Sequence, residues 1–107
     1  MKVTAIISTN ETEKVWNALR LTNTFLGTGH EVSIFLMNSG VEAEFIDHEL
    51  FDIQKNWQIF LERGGNIVSC GTCLQFRKLT DKVSISKIGN LLDCATMVET
   101  ADKVLNF

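Results

Sequence analysis

Proline is absent from these 107 residues. A chain without proline cannot build the cis-proline loop that faces the cysteines in thioredoxin folds. Long apolar runs are also missing, and none approaches the roughly 20 residues that span a bilayer. The first apolar run, Met1-Lys2-Val3-Thr4-Ala5-Ile6-Ile7, stops at Ser8-Thr9-Asn10-Glu11, too soon for the core of a signal peptide. No membrane association is expected, and the cytoplasm is the expected location. Basic residues are few and scattered. Ten Lys and Arg stand against 13 Asp and Glu, a net charge of −3, so the concentrated basic patch that nucleic acid requires is not expected. Repeats, low-complexity segments and linkers are lacking, and the length suits one domain. Cysteine is scarce: there are three, an odd count that argues against structural disulfides in a reducing compartment.

What is present is enough apolar side chain for a packed core, 45% of residues, in alternating strand-like and helix-like segments. Residues 2–8 read as a buried strand. Asn10-Glu11-Thr12-Glu13 offers a capping residue and an acidic first turn. Val15, Trp16, Ala18, Leu19, Thr22, Phe25 and Leu26 then share one helical stripe that ends at Gly27-Thr28-Gly29. A second strand is expected over 30–37, opening into a polar loop, Asn38-Ser39-Gly40. Ile46, Leu50, Ile53, Trp57 and Phe60/Leu61 recur at helical spacing up to Gly64-Gly65. A third strand over 66–69 leads into a cysteine turn and a helix over 74–79. Val83 and Ile85 alternate with Ser84 and Ser86 as a short edge strand. Asn90 caps a helix through Leu91, Leu92, Ala95 and Val98, and 103–106 is a final strand.

Strands alternating with helices predict an α/β fold: a single three-layer domain, its mostly parallel sheet covered by helices on both faces. In such sheets the functional crevice lies beyond the carboxyl ends of the strands. Three loops are expected to meet there, at 9–12, 38–41 and 70–73. Asn10, Asn38, Ser39 and Gly40 are the candidate pocket residues.

The third loop holds the only Cys-x-x-Cys, Cys70-Gly71-Thr72-Cys73. A cysteine at a strand-to-helix junction lies near free backbone N–H groups that favour the thiolate. Disulfide exchange is one reading of the pair. Zinc is another, but a structural zinc site needs four ligands. Cys94, His30 and His48 have no regular ligand spacing that would complete it, so no metal is expected. A core role is the third reading, and it is the one expected of Cys94. His30 and His48 read as surface residues. Trp16 and Trp57 read as core or subunit contacts, and Arg77 and Lys78 as either a source of positive potential or a solvated face.

Asn17-Ala18-Leu19-Arg20-Leu21-Thr22-Asn23, Gly29-His30-Glu31-Val32-x-Ile34-Phe35-Leu36 and Gly40-Val41-Glu42 together resemble the DsrE/DsrF-like sulfur-relay family. Cys70-Gly71-Thr72-Cys73-Leu74, Ile88-Gly89-Asn90 and Ala101-Asp102-Lys103-Val104 look most like the DsrE-like domain of YedF-type proteins. Those proteins carry an additional N-terminal TusA-like domain, whereas residues 1–107 here are expected to be a DsrE-like domain alone. The resemblance implies homo- or hetero-oligomers, often trimers or hexamers. It also implies a cysteine at the end of the third strand, Cys70 here, that accepts sulfur as a persulfide. Cys73 would resolve or tune it, and Gly71, Thr72 and the N–H groups of the turn would hold the persulfide. The partners would be protein or small-thiol sulfur donors and acceptors, with no cofactor. A non-catalytic oligomeric binding module and a dithiol redox protein remain alternatives.

Overall fold

Lys2–Ile7, Glu31–Leu36 and Asn66–Cys70 are buried along nearly their whole length, as strands covered on both faces of a parallel sheet must be. They form β1, β2 and β3. Two shorter strands, β4 (Lys87–Gly89) and β5 (Lys103–Asn106), complete the sheet in the order β4-β3-β2-β1-β5. Every pairing is parallel. The computed structural model describes residues Met1–Phe107. Its architecture is the single α/β domain that the strand–helix alternation predicts.

The helices are α1 (Thr12–Gly27), α2 (Ile53–Glu62), α3 (Gly71–Phe76) and α4 (Leu91–Thr100). The chain steps outward from β1 to β4, then returns across the sheet to β5. With right-handed crossovers, α1 and α2 lie together on one face and α4 covers the other. The Thr4 hydroxyl marks the second face by donating to Met97 O on α4 at 2.9 Å. The expected stripe of α1 is the observed one. Val15, Ala18, Leu19 and Thr22 are buried, with Trp16, Phe25 and Leu26 packed at its edge. Trp57 is core, and its indole N–H donates to Ala43 O at 3.1 Å. Cys94 is 8% exposed and joins the core.

Three expectations need correction. Asn38-Ser39-Gly40 is not an open loop but the start of a three-ten helix, Asn38–Phe45. The second helix begins at Ile53, not near Ile46. The His48 ring accepts the Leu50 and Phe51 N–H groups at 3.0 and 3.3 Å, a local turn that competes with a helix and leaves Leu50 82% exposed. The edge strand is β4 at Lys87–Gly89, not Val83–Ile85. Glu44, only 5% exposed, takes the Ser84 and Ile85 N–H groups at 3.1 and 3.4 Å and the Ser86 hydroxyl at 2.5 Å. The donors of that segment go to a carboxylate instead of a strand ladder.

Boundaries also shift at two helices. At the start of α1, Asn10 is not the cap; Glu11 holds that position with no side-chain capping bond. The helix after the cysteines spans 71–76 instead of 74–79. It stops because Lys78 turns left-handed at φ 57°, and Leu79 N–H bonds back to Leu74 O at 2.9 Å. At the head of α4 the Asn90 cap is as expected. Its side chain accepts the Asp93 N–H at 3.0 Å, and the Asp93 carboxylate accepts the Asn90 N–H at 2.9 Å.

Candidate functional site at the carboxyl end of β3

β3 ends at Cys70, whose backbone is still extended at φ −65°, ψ 115°. Gly71 begins α3 without a break. A methyl group on Gly71 would lie 3.2 Å from both Gly89 O and the Ile88 side chain, so this turn is packed tightly against β4. Cys70 is 5% exposed. Cys73 lies one turn along α3 on the same side of the helix and is half-buried.

The three-ten helix after β2 reaches the same place. Asn38 adopts φ 54°, a left-handed conformation that asparagine tolerates better than most residues. Its backbone N–H points at Cys73 Sγ and donates at 3.2 Å. Gly40 lets this segment sit against the end of β1, because a Cβ there would fall 2.0 Å from Ile7 O. Met37 N–H bonds Ile7 O at 3.0 Å and Ser39 Oγ reaches Ser8 O at 3.5 Å.

A chain of side chains rims the pair. Asn10 Nδ2 donates to Glu42 Oε2 at 3.3 Å, and the same oxygen lies 3.6 Å from Arg77 Nε. Arg77 Nη1 in turn donates to Cys73 O at 3.4 Å. Burial pushes the Cys73 thiol up from its ordinary value, and the hydrogen bond and negative charge of Cys70 push it the same way. The Asn38 N–H and the Arg77 charge pull against them without winning. Burial, and then the charge of Cys70, also raise Cys94. Cys73 and Cys94 thus both feel Cys70, and all three thiols are free.

The expected pocket residues therefore play different parts. Asn38 touches a cysteine, Asn10 reaches Cys73 only through Glu42 and Arg77, and Ser39 and Gly40 fix the loop. Glu42 and Glu44 are not legible as site residues in the sequence. Their only sign is two carboxylates within the apolar stretch Val41-Glu42-Ala43-Glu44-Phe45. A separate cleft of about 330 Å³ opens at the other end of the strands. It is lined by Lys2, Thr4, Ser33, Asn66, Thr96 and Thr100 among others, and by no cysteine.

A family model described as the DsrE/DsrF-like family matches residues 1–107. The chain belongs to that family. It is 29% identical over 114 residues to an uncharacterised protein of Methanocaldococcus jannaschii, with all of both chains aligned. It is 27% identical over 100 residues to one from Methanopyrus kandleri, covering 89% of this chain and 83% of the relative. Among solved structures it is similar to the ychN protein of E. coli, with a TM-score of 0.85, 25% identity and full coverage of both chains. A conserved protein of unknown function, BT1422 of Bacteroides thetaiotaomicron, shares the fold at a TM-score of 0.80 and 16% identity, over 99% of this chain and 94% of the other.

Proposed function

We propose that this DsrE/DsrF-like protein carries sulfur as a persulfide on Cys70. The observation behind this reading is the paired, free thiols at the carboxyl end of β3, with Cys73 accepting the Asn38 N–H. A donor R–S–SH offers its terminal sulfur. The protein's thiolate attacks that atom, the donor S–S bond breaks, and R–S⁻ leaves with the electron pair and takes a proton. Transfer to an acceptor thiol reverses these steps, with no net oxidation and no cofactor. Gly71 and Thr72 supply the first turn of α3, whose N–H groups face the cargo.

Donor and acceptor are protein or small thiols, and a reducing cytoplasm suits free cysteines. No helix of the protein is long and apolar enough to cross a membrane. Exposed Phe76, Ile88, Leu91 and Leu92 support assembly into a homo-oligomer, trimer or hexamer.

The test is to incubate wild type and Cys70→Ser with glutathione persulfide, remove excess donor in the presence of a small thiol, and map retained sulfur by mass spectrometry. Wild type is expected to keep one sulfur on Cys70 and Cys70→Ser none. Equal retention by Cys70→Ser would end the proposal. A dithiol oxidoreductase would instead show a Cys70–Cys73 disulfide that cycles with an oxidant. A wild type that never loads would point to the non-catalytic module.

A further inference from the structure

The two cysteines differ in the property that decides which one a donor can reach. Cys70 is 5% exposed, at the end of a strand walled by β4, whereas Cys73 is half-buried at the edge of the site. Cys73 also has a preformed donor, the Asn38 N–H at 3.2 Å from its sulfur, fixed by a left-handed residue. Beside it stands Arg77, held only loosely by Glu42 at 3.6 Å and by Cys73 O at 3.4 Å. A guanidinium with spare N–H groups suits an anionic persulfide or a departing thiolate.

We infer that Cys73 is the first acceptor of sulfur and hands it inward to Cys70, which shelters it. The inference rests on the carrier reading of the same site and assigns the order of events within it. In the first step the Cys73 sulfur attacks the terminal sulfur of a low-molecular-weight persulfide, R–S–SH, and its proton passes to the departing R–S sulfur. The donor S–S bond breaks and R–S⁻ leaves with the electron pair, taking the Cys73 proton, while the transferred sulfur keeps its own. In the second step the Cys70 sulfur attacks the terminal sulfur of the Cys73 persulfide. The Cys73 S–S bond breaks, and Cys73 keeps the electron pair and takes the proton from Cys70. The sum is R–S–SH + Cys70–SH → R–SH + Cys70–S–SH, with Cys73 regenerated and nothing oxidised. The Asn38 N–H stabilises the charge that gathers on Cys73 sulfur as its S–S bond breaks in the second step.

The experiment is rapid mixing with glutathione persulfide, quenching with iodoacetamide at successive times, and fragment-ion mapping of the peptide holding both cysteines. In wild type, sulfur is expected on Cys73 first and on Cys70 later. Cys73→Ser is expected to load Cys70 at least about tenfold more slowly, because a buried thiol then reacts only through local opening. Cys70→Ala, which places no hydroxyl in the core, is expected to load Cys73 at least as fast as wild type and pass nothing on. Loading of Cys73→Ser at the wild-type rate, or Cys70→Ala that never carries sulfur on Cys73, would overturn the hand-over while leaving Cys70 as carrier. A wild type that loads on neither cysteine would overturn both readings together.

Discussion

At the scale of the residue, the site is a matter of which sulfur keeps its proton. Cys73 is raised by burial first, then by the hydrogen bond and charge of Cys70. Removing Cys70 deletes the second and third of those causes. Cys70→Ala is therefore expected to lower the pH at which Cys73 becomes alkylatable, measured by iodoacetamide rate against pH. A midpoint unchanged or higher would contradict the contact. Cys73 and Cys94 also tie stability to pH. Both have folded values above the ordinary 9.0, so folding favours their protonated forms. That contribution is whole below pH 9.0 and is lost as pH rises through the folded values. Urea unfolding is expected to show stability falling in that alkaline window, and less steeply in Cys94→Ala. Gly40 makes a simpler point. Its Cβ would lie 2.0 Å from Ile7 O, a backbone overlap that no rotamer relieves. Gly40→Ala is expected to cost about 1–3 kcal/mol and to loosen the Asn38 contact with Cys73. A variant as stable as wild type would show that the loop has room to move.

At the scale of the element, the sequence was legible wherever a periodic pattern met a glycine. The stripe of α1 ends at Gly29, φ 91°, and α2 closes at Gly64, φ 86°, as the glycines indicate. α3 closes in the same way but on Lys78, a residue with no such preference, and so its end was misplaced. The start of α2 is misplaced in the sequence reading because Ile46 and Leu50, on either side of His48, keep helical spacing with Ile53. The strand expected at Val83–Ile85 failed for a different reason. Its alternation is genuine, and Val83 and Ile85 do pack on the core, but the neighbouring donors are captured by Glu44, forty residues away in sequence. Nothing local records a partner so distant. The Ser69 and Ser86 hydroxyls, 2.7 Å apart, extend this clamp to the residue before Cys70. Glu44→Ala strands two N–H groups and a hydroxyl, and is expected to cost at least about 2 kcal/mol. It should also speed amide exchange at Ser84 and Ile85. Unchanged exchange there would show that the clamp is not what orders the segment.

At the scale of the whole molecule, β1, β2 and β3 form the buried centre, and their carboxyl ends carry the loops that meet at Cys73. The meeting of these loops followed from topology, and this part was legible from strand–helix alternation alone. Burial was not: the strand-end cysteine, whose position is expected to favour the thiolate, is the deeper of the two. Phe76 at 83% exposure and Leu92 at 74% are large apolar side chains that an assembly would cover. Light scattering at micromolar concentration is expected to report an oligomer, and Leu92→Asp to reduce it without unfolding. A wild type that scatters as a clean monomer would remove the assembly. The central claim, that Cys70 holds sulfur, is tested most directly on the protein as purified without reductant. Peptide mass spectrometry is expected to find one additional sulfur on Cys70, released by a small thiol and absent from Cys94. Cys70 free of sulfur both as purified and after exposure to a persulfide donor would contradict the account.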